Sequence, residues 1–150
     1  MRTLAIDLGT RRVGLALSDE GARFATPYDV LTVTSPNQAA GLVLQVVEKE
    51  AVERLVVGLP LNMDGTAGPA ARSAAAWGKA LAARAGKPVV FVDERLSSFD
   101  AEQQLIDRKR AGEKLTRKRK KEQLDALAAA AFLQEFLDGK AGAVDVGEME

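Results

Sequence analysis

The order of hydrophobic periodicities constrains this chain most. Three strand-like runs fill the first 34 residues, and strand-like runs then alternate with helical ones. Thr3–Leu8 and Val13–Ser18 read as an antiparallel hairpin around the turn Gly9-Thr10-Arg11-Arg12, and Pro27–Thr34 reads as a third strand. Ser35-Pro36 is an N-cap followed by proline at the first helical position. Residues 37–50 then carry Leu42, Val43, Val46 and Val47 at helical spacing. Arg54–Gly58 reads as a fourth strand, Leu59–Gly68 as a turn-rich loop, and Pro69–Ala85 as a helix stopped at Gly86. Pro88–Val92 is a fifth strand, apolar throughout, as a strand buried on both faces would be. Ser97-Ser98-Phe99-Asp100 has capping-box spacing and opens a helix to about Lys109. A mobile loop at 111–114 and a last helix, capped near Thr116 and running to Leu137, complete the order. The sequence β-β-β-α-β-α-β-α-α predicts an α/β fold. Its mixed five-stranded sheet has a three-stranded antiparallel meander plus two parallel strands, with helices on both faces.

The 150 residues suit one domain, here 1–138, large enough to fold without disulfides or structural metal. The Gly/Ala-rich acidic stretch 139–150 reads as a flexible, frayed tail. No apolar run reaches ~18 residues, and Asp7 comes too early for a signal peptide's apolar region. The expectation is a cytoplasmic protein with no membrane role. Cysteine and histidine are both absent. Thiolate zinc sites, cysteine nucleophiles, Ser-His-Asp triads and histidine acid–base chemistry are thereby excluded. Any metal would be hard and oxygen-ligated, Mg²⁺ or Mn²⁺.

Three acidic positions fit their surroundings poorly. Asp7 closes the first strand, where aspartate is depleted, although an Asp before Gly-Thr also starts turns. Asp93-Glu94 ends the fifth strand, and two adjacent carboxylates there need a cation or Arg95 to hold them. In an open α/β sheet such strand ends are where ligands bind. Asp125 shares a helical face with Ala128, Ala129, Phe132 and Phe136. A carboxylate in an apolar face needs either a salt-bridge partner or a metal. Asp7, Glu94 and Asp125 gathered together would suit one or two divalent ions serving phosphoryl chemistry. Strand alternation leaves Asp93 open as the alternative to Glu94.

The 21 basic and 21 acidic residues balance, but their distribution does not. Nine basic residues lie between Arg108 and Lys121, opposed only by Glu113. Arg117, Lys118, Arg119, Lys120 and Lys121 enter the last helix just before Asp125. A run this dense stays solvated, and polyanion binding is its common use. Arg11, Arg12, Asn62 and Arg95 are further candidate nucleic-acid contacts, Asn62 from the loop Asn62-Met63-Asp64-Gly65-Thr66. The competing readings are solvated turn residues for the arginines and a plain turn for the loop.

Four ordered segments resemble the YqgF (RuvX) family of the ribonuclease H-like superfamily. They are Ala5-Ile6-Asp7-Leu8-Gly9-Thr10-Arg11-Arg12 continuing to Asp19, then Val57-Gly58-Leu59-Pro60-Leu61-Asn62 continuing to Thr66. Val92-Asp93-Glu94-Arg95-Leu96-Ser97-Ser98 and Leu124-Asp125-Ala126-Leu127 continuing to Gln134 follow. The resemblance implies a ribonuclease H-like fold and a metal-dependent nuclease. It puts the catalytic, metal-binding acids at Asp7, Glu94 and Asp125. It also implies either of two substrates: the 5′ end of precursor 16S ribosomal RNA, or a four-way DNA junction. The partner is then structured RNA or branched DNA. A homodimer is open too, because a resolvase must cut two strands symmetrically. Two readings compete: an actin-like ATP-binding protein, since Asp7-Leu8-Gly9-Thr10 also looks like a phosphate-binding hairpin, and a non-catalytic RNA-binding assembly factor.

Overall fold

The computed structural model describes residues 1–94 and 117–147, with residues 117–123 described by backbone alone. Its elements are β1 (Thr3–Leu8), β2 (Arg12–Ser18), β3 (Ala25–Thr32), α1 (Pro36–Lys49), β4 (Arg54–Leu59), α2 (Pro69–Ala85), β5 (Val89–Asp93) and α3 (Arg117–Leu137). The predicted helix at 97–109 and loop at 111–114 lie outside the described residues. The strands form one sheet in the order β3-β2-β1-β4-β5. β1–β2 and β2–β3 pair antiparallel, while β1–β4 and β4–β5 pair parallel.

Local chemistry sets the boundaries. The Ser35 hydroxyl accepts from the Gln38 N–H at 3.1 Å, with Pro36 opening α1. Gly86, at φ +67°, ends α2 in the left-handed region and returns its N–H to Ala82 O. β3 starts and ends two residues earlier than its sequence pattern suggests. Val33 N–H donates instead to Arg11 O, and Thr34 N–H donates to Gln38 Oε1 at the entry to α1. Pro27 falls at the register shift in the β2–β3 ladder, on an edge strand where a missing N–H is tolerated.

Alternation divides the sheet into two faces. Leu4, Ile6, Val13, Leu15, Leu55, Val57 and Phe91 pack toward α1 and α2. Ala5, Ala16, Val56 and Val92 pack toward Ala129, Phe132 and Leu133 of α3. The α3 side of the sheet is the small-residue side, which lets the helix lie close. A Cβ on Gly14 would collide with the backbone carbonyl of Asp125, and one on Gly58 would press into the Phe132 ring. Leu133 joins the sheet-facing side, whereas Ala128 packs with Leu124 and Leu127 in a separate cluster. Gln134 ties α3 to the edge strand, accepting from Ala25 N–H and donating to Arg23 O.

The segment after α3 is not the free tail its composition suggests. Val144 N–H donates to Phe91 O at 2.7 Å, Lys79 Nζ donates to Val146 O, and Val146 is buried. Two valines among the glycines and alanines supply enough apolar surface to dock on the open edge of β5. Among the described residues, no helix is long and apolar enough to cross a membrane.

Candidate active site at the carboxyl ends of the parallel strands

β1, β4 and β5 run parallel and end together at Leu8, Leu59 and Asp93. Ligands in open α/β sheets gather beyond such ends. Asp7 lies on the α3 face, two residues beyond Ala5 and opposite Gly14 of β2. Asp93 still pairs with Leu59, so β5 runs one residue further than its apolar stretch. That extra residue settles which acid faces the site. Asp93 follows Phe91 toward α1 and α2, and Glu94 follows Val92 toward α3. Glu94 lies over Gly58, where an added Cβ would stand 2.7 Å from its Oε2. The missing side chain at Gly58 is what makes room for the acid.

Asp7 and Glu94 are hydrogen-bonded to each other. Burial first, then the Asp7 charge and hydrogen bond and the charge of Asp93, push Glu94 up to about 9. Asp7 is raised as well, by burial and by the charge of Asp125, against the lowering effect of its bond to Glu94. Near neutral pH Glu94 is therefore held in its neutral form, because burial and the neighbouring acids disfavour a second charge beside Asp7.

Asp125 stands close enough to Asp7 for its charge to be felt, but Arg12 engages it. Arg12 Nε donates to Asp125 Oδ2 at 2.7 Å. The side chains are 37% and 26% exposed, so solvent limits this pair to about 0–1 kcal/mol. Asp7, Gly9, Thr10, Arg11, Arg12 and Asp125 line one open cleft of about 250 Å³. Cationic and anionic groups thus face the same space.

The predicted residues separate into three groups. Asp7 and Glu94 come together as a pair, Asp125 stands beside them, and Arg11 and Arg12 line the cleft. Asn62 turns its polar atoms into its own loop. Its N–H donates to Thr66 O and its Nδ2 to Thr66 Oγ1, while Asp64 accepts from Thr66. These bonds close the turn, as the plain reading of the loop expects. Arg95 lies outside the described residues; Arg117, Lys118, Arg119, Lys120 and Lys121 open α3, ahead of Asp125 along the helix. Sequence reasoning missed Thr10, Gly14 and Gly58. Glycine inside a strand was the available signal for the last two.

Among the described residues, no three carboxylates converge closely enough to hold an ion between them as they stand. The donor chemistry nonetheless fits a hard divalent cation. Two adjacent, half-buried carboxyls, both pushed up by burial, are a pair that a divalent cation would neutralise.

The fold and this acidic strand-end site define a ribonuclease H-like α/β protein. Similarity in structure to RuvC of Thermus thermophilus agrees, with a TM-score of 0.60 at 18% identity over 96% of this chain and 100% of that one. RuvC in complex with a Holliday junction substrate gives 0.59 at 19% identity over 96% and 99%. Residues 1–139 match the family model described as RuvX, Holliday junction resolvase, and the chain belongs to that family. Relatives provisionally named pre-16S rRNA nuclease include one from Anaeromyxobacter sp. (strain K). It is 48% identical over 143 residues, covering 94% of this chain and 99% of the relative. Another, from Acidiphilium cryptum, is 41% identical over 137 residues, covering 91% and 84%.

Proposed function

We propose that this protein is a divalent-cation-dependent endonuclease that hydrolyses phosphodiesters of structured nucleic acid, with the 5′ end of precursor 16S ribosomal RNA as substrate. The observation that carries the reading is the gathering of acids at the strand ends: Asp7 and Asp125 line a cleft with Arg11 and Arg12, and Glu94 stands against Asp7. The relatives' names supply the RNA.

Asp7, Glu94 and Asp125 would hold Mg²⁺ or Mn²⁺, a choice that follows from an all-oxygen donor set. Such an ion, when bound, supplies positive charge to a phosphate oxygen and lowers the pKa of water. The chain's own residues do the rest. On binding the cation, the Glu94 proton would pass to solvent, leaving Asp7 and Glu94 as adjacent carboxylates. Arg11 and Thr10, on the exposed β1–β2 turn, meet the substrate's phosphate oxygens. The basic start of α3 steers the polyanion by charge without reading its sequence.

Side-by-side cleavage of precursor 16S RNA and a synthetic four-way DNA junction tests this, with Mg²⁺, Mn²⁺ and EDTA compared. Cutting of the RNA with either ion, and none in EDTA, is the expected result. Cutting of the junction alone selects the resolvase reading that the family's description carries. That reading further requires a two-fold dimer in solution. Full activity in EDTA overturns the cation-dependent mechanism.

A further inference from the structure

Arg12 is bonded to one of the three candidate acids, Asp125, in the cleft that Asp7 also lines. Its Nε holds Asp125 Oδ2 at 2.7 Å, while Asp7 and Glu94 hold each other. Both Arg12 and Asp125 line the cleft with Asp7. We infer that Arg12 is a positioning residue that stands in for the cation: in the ion-free protein it engages Asp125, and on cation binding it releases Asp125 and turns to the substrate phosphate. The inference rests on the nuclease reading and names what one residue of that site does.

The backbone on either side favours an exchange of partners with little rearrangement. Arg12 begins β2 opposite Thr32, and its carbonyl accepts from Gly9 N–H at 2.9 Å. Asp125 is fixed by the contact of its own backbone with Gly14. Only side-chain rotations separate the two pairings, and these take picoseconds to nanoseconds at exposed positions. The ion pair is partly solvated, so a divalent ion can compete for it. A guanidinium freed beside a phosphate gains a planar, two-pronged contact that lysine does not reproduce. Cation and nucleic acid then support each other: the ion frees the arginine, and the phosphate keeps it from returning.

The test is Mn²⁺ binding by calorimetry without nucleic acid, for wild type, Arg12→Gln, Arg12→Lys and Asp7→Asn. Arg12→Gln should bind Mn²⁺ about three- to tenfold tighter than wild type, because a competing charge is gone. Arg12→Lys, which keeps the charge, should stay near wild type. Binding of a four-way junction should then be compared in EDTA and in Ca²⁺. In Ca²⁺, Arg12→Gln should flatten the slope of log affinity against log salt by about 0.9, one phosphate contact on duplex arms. In EDTA the wild-type and Arg12→Gln slopes should coincide. If Arg12→Gln binds Mn²⁺ no tighter while Asp7→Asn abolishes binding, the site stands and the exchange is refuted. If wild type binds no Mn²⁺, or Asp7→Asn binds like wild type, the site reading falls and the exchange falls with it.

Discussion

Replacing Glu94 by glutamine should stabilise the ion-free protein at neutral and alkaline pH. Glu94 titrates at 4.5 in an unfolded chain and at about 9 in the fold. Between those values the folded state binds more protons than the unfolded state, so stability falls as pH rises and levels off above about 9. Below pH 4.5 the carboxyl is protonated in both states and costs nothing. From pH 5 to pH 8 the linkage ceiling is about 4 kcal/mol, at roughly 1.4 kcal/mol per pH unit. Solvent reaches the half-buried carboxyl and reduces this to about 2 kcal/mol. Glu94 faces Asp7 on β1 and feels the charge of its chain neighbour Asp93 from the other face, with the Arg12–Asp125 pair beyond Asp7. The two aspartates raise Glu94, so they reinforce the sign. Glutamine keeps a donor for Asp7 and carries no charge. In EDTA, urea unfolding from pH 5 to pH 8 should show wild type losing about 2 kcal/mol more than Glu94→Gln. At pH 8 that corresponds to a midpoint about 4–8 °C higher for the variant. Parallel stability curves, or a variant less stable than wild type at pH 8, refute the raised Glu94 carboxyl.

Asp7→Asn should reduce cleavage about a hundredfold or more while its urea unfolding in EDTA stays level or improves, since it removes charge from an acidic pair. Gly58→Ala should cost about 1–3 kcal/mol in unfolding and also lower Mn²⁺ affinity, because its Cβ would press on both Phe132 and Glu94. Replacing Lys118, Lys120 and Lys121 together by alanine should flatten the salt slope of duplex-arm binding by about two to three units. Cleavage at saturating substrate should survive, and an unchanged slope would mean that these lysines only solvate the helix.

Much of the architecture was legible because apolar period and punctuation agree along the chain. Ser35-Pro36 and Gly86 bound the first two helices where their chemistry says they should. β3 slid by two residues because Gln134, 109 positions away, claims Ala25, and no local pattern encodes that contact. The docked segment at 140–147 was hidden by its composition, since a few valines decide its placement. At the site, strand ends announced Asp7 and the Asp93-Glu94 step. They did not say which of the latter faces α3, because an all-apolar strand gives no alternation to read. Gly58 held the answer, since its missing side chain leaves room on the α3 face for Glu94, the residue after β5. The partner of Asp125 was also beyond reach, because Arg12 lies 113 residues away in sequence. Both the salt bridge and the metal role had a physical basis, and the fold places Arg12 against Asp125.

The most direct measurement is the number of protons released when Mn²⁺ binds at pH 7. Calorimetry in buffers of differing ionisation enthalpy gives that number. A cation seated between Asp7 and Glu94 must displace the proton held on Glu94, so wild type should release about one proton per ion and Glu94→Gln close to none. Mn²⁺ binding to wild type with no proton released would contradict the placement of the cation site at this pair.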